Sequence, residues 1–179
     1  MNILVLNGSP HKSGNTAKLV SRFRVGAERA GHEITELQVG TMNIRGCIGC
    51  EYCLGKGKGT CVFKNNKADD MERVYAALAK ADMLVLASPI HYYGLSGQMQ
   101  SCLARFHAVT KPPKATRYAL ILSSVDEDAA QAAELQFRQN VRYFEGQVSG
   151  IFHFHDANRD DEGLLRALEE FGAAQSVVR

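Results

Sequence analysis

Four cysteines within fifteen residues are the strongest chemical feature of this sequence. Cys47, Cys50 and Cys53 are separated by two residues each, and Cys61 follows after seven more. Three cysteines at this spacing wrap three corners of a [4Fe-4S] cube, and Cys61 can supply the fourth thiolate. Structural zinc sites usually combine two separated Cys-x2-Cys pairs instead. The spacing therefore favours an iron-sulfur cluster first, zinc second, and a flexible loop of free thiols third.

The residues around these cysteines form a Gly-rich and Lys-rich loop over about residues 45–66. Gly55, Gly57 and Gly59 would let the loop wrap a cluster. Nearby lysines could offset the cluster's negative charge, or attract a nicotinamide phosphate or an acidic redox partner. Cys102 lies apart, inside a predicted helix, where a free cysteine is usually a small buried hydrophobe.

The loop from Asn7 to Thr16 is a second candidate site. It follows a short apolar run and leads into a predicted helix, whose N-terminal N-H groups and positive dipole end attract anions. Ser9, Ser13 and Asn15 add polar side chains around that terminus. Because neither Gly-Lys-Ser/Thr nor GxGxxG is present, triphosphate and NAD motifs are excluded. A tight turn before a capped helix explains the same residues about equally well.

Short apolar segments alternate with amphipathic helices along the whole chain. This alternation predicts one α/β domain over residues 1–179, with a doubly wound sheet and ligands at the carboxyl ends of its strands. The predicted strands cover about residues 3–6, 33–39, 81–87, 118–122 and 148–153. The predicted helices cover about residues 16–30, 71–78, 95–108, 129–144 and 164–171.

Four features in the first 110 or so residues resemble one known family. They are Gly8-Ser9-Pro10 with Gly14-Asn15-Thr16, the cysteine loop, Asp69-Asp70-Met71, and the segment from Ser88 to Gly94. Together they resemble the NADPH-dependent FMN reductase and iron-sulfur flavoprotein branch of the flavodoxin-like superfamily. The resemblance implies a flavodoxin-like three-layer sandwich, in which a five-stranded parallel sheet of order 2-1-3-4-5 has helices on both faces.

The same resemblance implies FMN as cofactor, NAD(P)H as electron donor and a [4Fe-4S] cluster on Cys47, Cys50, Cys53 and Cys61. The FMN phosphate is expected at the first loop, on Ser9, His11, Ser13, Gly14, Asn15 and Thr16. The flavin ring is expected at Pro89, Ile90, His91, Tyr92, Tyr93 and Gly94, with another contact at Ser123. No side chain is assigned a catalytic role, because the flavin carries the chemistry.

The leading functional hypothesis is NAD(P)H-dependent reduction of a flavin, a quinone or another small acceptor. The alternative is an iron-sulfur electron carrier that works with ferredoxin-like partners. A zinc-stabilised binding module is a more distant third hypothesis. By analogy with the family, we expect a homodimer or homotetramer.

Composition and other motifs exclude several classes of function. Lys and Arg total 21 against 19 Asp and Glu, which gives no reason to expect a nucleic-acid partner. No signal peptide or 18-residue apolar segment is present, so we expect a cytoplasmic protein without membrane attachment. The absence of a GxSxG motif argues against a hydrolase. His153 and His155, with Asp156, could form a metal pair, but a strand with one polar face explains them without a metal.

Overall fold

In the computed structural model, which describes residues 1–175, the short apolar segments predicted as strands form a parallel sheet. The last four residues of the predicted domain, 176–179, lie outside the described residues. The strands of the parallel sheet are β1 (Asn2–Asn7), β2 (Glu33–Leu37), β3 (Met83–His91), β5 (Arg117–Ser123) and β6 (Gln147–Phe154). Their spatial order is β2-β1-β3-β5-β6, which confirms the predicted order of the five main strands.

A sixth strand, β4 (Gly94–Leu95), was not expected from the sequence. We predicted that β3 would end before Ser88 and that a helix would begin near Leu95. Instead, β3 continues to His91, turns through two residues and pairs with β4 antiparallel. The helix starts later because Ser96 is its N-cap, with a side chain that accepts from the N-H of Met99.

Helices cover both faces of the sheet, as predicted. On one face lie α1 (Asn15–Arg29) and α5 (Glu162–Ala173); on the other lie α2 (Met71–Leu78), α3 (Gly97–Arg105) and α4 (Gln131–Tyr143). The predicted third and fourth helices were too long. Their ends form separate 3-10 turns at Phe106–Ala108 and Glu127–Ala130.

Alternation along the central strands divides the core into two layers. Ile3 and Val5 pack with α1 and α5, whereas Leu4 and Leu6 pack with the helices of the opposite face. Because both layers are buried, the central strands are held rigidly and their carboxyl ends meet at one edge of the sheet. None of the helices in residues 1–175 has both the length and the apolar composition needed to cross a membrane.

Candidate functional site

The first loop is folded by its own side chains. The N-H of Ser9 donates to Oδ1 of the buried Asn7 at 3.0 Å, and the N-H of His11 donates to Oγ of Ser9 at 3.2 Å. The helix that follows has Gly14 as its N-cap and no side-chain cap. The N-H groups of its first turn have no acceptor within the helix. This helix end therefore presents donors and a positive dipole end to an anion.

Two glycines let neighbouring segments approach this loop closely. A Cβ on Gly40 would lie 2.2 Å from the carbonyl oxygen of Ser9, and one on Gly8 would lie 2.7 Å from Oγ of Ser96. Ser96 also donates to the carbonyl of Gly8 at 2.8 Å. The chain after β2 and the cap of α3 thus hold the first loop from two sides. Sequence reasoning missed Ser96, although a serine before a helical stripe is a typical N-cap signal.

The structure brings together members of three segments that the sequence assigned to one cofactor. Thr16 Oγ1 lies 2.8 Å from Ser123 Oγ. Ser123 in turn pairs in register with Pro89 on the neighbouring strand. The first loop, the end of β5 and the proposed ring segment are therefore contiguous at the carboxyl edge of the sheet.

A cavity of about 360 Å³ opens beside this contact. Its lining includes Asn15 and Ser123, which the sequence predicted, and Lys18, Arg22 and Arg159, which it did not. Cavities that bind small molecules commonly have volumes of about 300–1,000 Å³. The cavity therefore offers space for a ligand next to the start of α1, in a lining where Asp160 and Glu162 balance two of the three basic side chains.

The turn between β3 and β4 has an unusual conformation. Tyr92 and Tyr93 have φ values of 50° and 64°, a left-handed region that bulky side chains rarely adopt. Both residues are exposed, at 102% and 64% of their reference surface. Such backbone strain is found preferentially at ligand sites. The hairpin thus holds two aromatic rings in solvent near the other predicted flavin residues.

The cysteine loop folds so that all four predicted ligands line one small cavity of about 20 Å³. Within residues 1–175, no three metal-binding side chains are close enough together to hold a single metal ion. In a [4Fe-4S] cluster each thiolate binds a different iron, so the four thiolates lie farther apart than they do around one ion. The four thiols on one cavity have the composition that such a cluster requires.

A buried ion pair lies beneath the cysteine loop and was not recognised in the sequence. Nη1 of Arg105 lies 2.7 Å from Oδ2 of Asp69, with side chains 1% and 4% exposed. Burial tends to lower the pKa of Arg105, but the hydrogen bond and charge of Asp69 outweigh it, so the pKa is raised. The sequence did contain a signal for this pair. Arg105 follows Met99 and Cys102 at helical spacing, which predicts that it is buried, and a buried arginine requires an acidic partner.

His153 lies near the end of β6, and His155 follows that strand. His153 Nε2 lies 2.6 Å from Oγ of Ser124, in the segment that follows β5. Burial, followed by the charge of His155, lowers the pKa of His153. The ring centroids of His153 and His155 are 5.7 Å apart. Among the described residues they gather no third metal-binding side chain.

Comparison with known proteins identifies the class of fold. The chain aligns with an FMN-dependent NADH-azoreductase from Bacillus anthracis in complex with FMN, at a TM-score of 0.72, 11% identity, and 97% and 98% coverage of the two chains. It also aligns with an NAD(P)H:quinone oxidoreductase from Methanothermobacter marburgensis, at a TM-score of 0.70, 15% identity, and 97% and 94% coverage. These likenesses show a flavodoxin-like fold.

The family follows from the sequence comparison. The family model for NADPH-dependent FMN reductase matches residues 1–159, and the chain belongs to this family. An iron-sulfur flavoprotein of Archaeoglobus fulgidus is 33% identical over 98 residues, which are 55% of this chain and 42% of the relative. Seven curated relatives carry that name. The chain spans about half the length of the curated relatives it matches.

Proposed function

We propose that this protein is an FMN-dependent oxidoreductase that accepts electrons from NAD(P)H and passes them to a flavin, a quinone or another small acceptor. The observation that carries the proposal is the uncapped start of α1, which Thr16 joins to Ser123 at 2.8 Å. This arrangement suits a monophosphate with an attached planar group. Membership of the NADPH-dependent FMN reductase family supports the same cofactor.

The residues divide the binding of FMN between two segments. At the first loop, Ser13, Asn15 and the N-H groups that begin α1 hold the phosphate, while Ser9 maintains the fold of the loop. Pro89 to Gly94 hold the isoalloxazine ring, because the Tyr92-Tyr93 turn presents aromatic surface there. Bound FMN supplies the hydride-transfer and electron-transfer chemistry. The protein supplies position and electrostatics, without a side chain that accepts the substrate's protons.

The proposed reaction is tested by anaerobic mixing of the FMN-loaded protein with NADPH or NADH. We expect the flavin absorbance to be bleached and then restored when a quinone or free flavin is added. A variant with Asn15→Ala should show weaker FMN binding, whereas Thr35→Ala, on the exposed side of the edge strand, is the matched control. Flavin-loaded protein that neither nicotinamide reduces would contradict the proposed donor.

A second candidate function is electron transfer through a [4Fe-4S] cluster, with ferredoxin-like partners. It is favoured by the single cavity that the four cysteines line and by the name that the curated relatives share. The cysteines would hold the iron, and the cluster would supply one-electron chemistry. Iron and acid-labile sulfide should both approach about four per chain after anaerobic purification.

The substitution Cys50→Ser distinguishes the two functions. Loss of iron with unchanged NAD(P)H oxidation would support the reductase, whereas loss of both would support an electron path through the cluster. Cys102→Ala is the control, because this buried cysteine does not line the cavity.

We also propose a single domain, a cytoplasmic location and a homodimer or homotetramer. Light scattering of the FMN-loaded protein would test the oligomeric state.

A further inference from the structure

Arg105 contacts both ends of the segment that carries the cysteines. Its Nη1 donates to the carbonyl of Arg45 at 2.8 Å, and its guanidinium lies 5.0 Å from the centre of the Phe63 ring. Arg45 stands two residues before Cys47, and Phe63 stands two residues after Cys61. Arg105, on α3, therefore holds together the two ends of the loop, close in sequence to its first and last cysteines.

The same guanidinium belongs to the lining of the cysteine cavity. Arg105 lines it together with all four cysteines, whereas Asp69 lies outside that lining. The side chain is 1% exposed, and its buried Nε has no hydrogen-bond partner within the described part of the chain. A buried donor without a partner carries a free-energy cost unless a ligand or another group satisfies it. Asp69 already pairs with the charge of Arg105, so it is the unpaired Nε donor that calls for an acceptor in the cavity.

We propose that Arg105 is a positioning residue that clamps the cysteine loop and places a fixed positive charge against the cluster bound there. This inference rests on the [4Fe-4S] candidate of the proposed function. Reduction adds one negative charge to the cluster, and a nearby positive charge stabilises the reduced form. Asp69 offsets part of this charge, but only Arg105 of the pair lines the cavity, so the positive end of the pair lies nearer the cluster. Arg105 therefore raises the reduction potential.

The experiment compares variants in which no buried carboxylate loses its partner. Asp69→Asn is the background, to which Arg105→Gln or Arg105→Lys is added. Arg73→Gln is the matched control, because Arg73 is 64% exposed, pairs with Asp70 at 3.4 Å, and is outside the cysteine cavity. Each protein is purified anaerobically and reconstituted with iron and sulfide. Iron content, FMN content and the midpoint potential of the cluster are then measured.

We expect Arg105→Gln to lower the potential, relative to the background, by about 59 mV, which is a tenfold change in a one-electron equilibrium. Arg105→Lys should recover most of this shift, and Arg73→Gln should leave the native potential unchanged. Loss of iron in the glutamine variant, with recovery in the lysine variant, supports the same role. A lysine variant that resembles the glutamine variant would overturn the charge role, as would a potential that does not move.

The two proposals fail in different ways in this experiment. Native protein that binds FMN but takes up no iron would overturn both the cluster and the role of Arg105. A cluster that forms in the native protein, and whose potential and iron content do not change when Arg105 is replaced, would overturn only the role of Arg105.

Discussion

Thr16 Oγ1 and Ser123 Oγ lie 2.8 Å apart although 107 residues separate them in the chain. Both residues are buried, at 2% and 7% exposure. Thr16 belongs to the first turn of α1, and Ser123 is the last residue of β5. The hydrogen bond therefore fixes the start of α1, which we propose binds the phosphate, to the edge of the sheet where the proposed ring segment lies.

Thr16→Val removes this hydrogen bond while nearly preserving the shape of the side chain. Because the buried Ser123 hydroxyl then lacks its partner, we expect the unfolding free energy to fall by about 1–3 kcal/mol. If about 1.4 kcal/mol of that cost arises only when FMN is bound, the Kd for FMN rises about tenfold. Fluorescence titration of the apoprotein measures this change. Thr35→Val on β2 is the control, and equal affinities of the two variants would contradict the role given to Thr16.

Replacing the two tyrosines of the β3–β4 turn should stabilise the apoprotein but weaken FMN binding. Replacing Tyr92-Tyr93 by Asn-Gly, which tolerates positive φ at both positions, should stabilise the apoprotein by about 1–3 kcal/mol. The same change should weaken FMN binding, because both aromatic rings are lost. Urea unfolding and FMN titration measure the two effects.

Thr110→Gly is a control for this effect, since Thr110 has a φ of 63° and is far along the chain from the proposed flavin segments. It should stabilise the protein without a change in FMN affinity. Unchanged FMN affinity in the Asn-Gly variant would show that the tyrosines do not contact the flavin.

The buried pair of Asp69 and Arg105 predicts an uneven response to substitution. Arg105→Met leaves the carboxylate of Asp69 buried and unpaired, so we expect a loss of about 3–5 kcal/mol of unfolding free energy. Adding Asp69→Asn removes that charge while keeping an acceptor for the N-H of Met71, which now binds Oδ1 of Asp69 at 3.0 Å. The double variant should therefore be more stable than the single one in urea. The opposite order would show that the pair is not charged when buried.

Cys102 predicts a defined dependence of stability on pH. Burial raises the pKa of this thiol from 9.0 to about 12. Above pH 9 the unfolded chain loses the thiol proton while the folded chain keeps it, so the unfolding free energy falls as the pH rises from 9 toward 12. This contribution amounts to about 1.4 kcal/mol per pH unit.

The measurement compares urea unfolding of the native protein and of Cys102→Ala under reducing conditions at pH 8 and pH 10. The substitution removes the buried thiol, whereas the other four cysteines are present in both proteins. We expect the native protein to lose about 1 kcal/mol more than the variant over this interval. Parallel losses would contradict the raised pKa.

Hydrophobic pattern was sufficient to predict the main sheet, because the central strands are buried on both faces and consist of short apolar runs such as Leu84 to Leu86. It was insufficient at β4, where two residues carry no periodicity and the hydroxyls of Ser88 and Ser96 decide where β4 ends and α3 begins. The N-H of Ser96 donates to Oγ of Ser88 at 2.9 Å. Contacts of this kind depend on tertiary structure and are not visible in a local pattern.

The candidate site likewise contains features that a local sequence pattern predicts and one that it does not. The positions of Asn15 and Cys50 could be predicted because helix starts and cysteine spacings are local signals. The pairing of Arg105 with Asp69, 36 residues earlier in the chain, could not, since it depends on how α3 packs beside the start of α2. The assignments of individual residues to FMN and to the cluster remain predictions for the experiments above.

The most direct test of the central claim is calorimetric titration of the apoprotein with FMN and, separately, with riboflavin, which lacks only the phosphate. If the loop from Asn7 to Thr16 holds the phosphate, one FMN binds per chain, with an affinity at least about a hundredfold higher than that of riboflavin. Equal affinities for the two flavins, or no binding of FMN, would contradict the account.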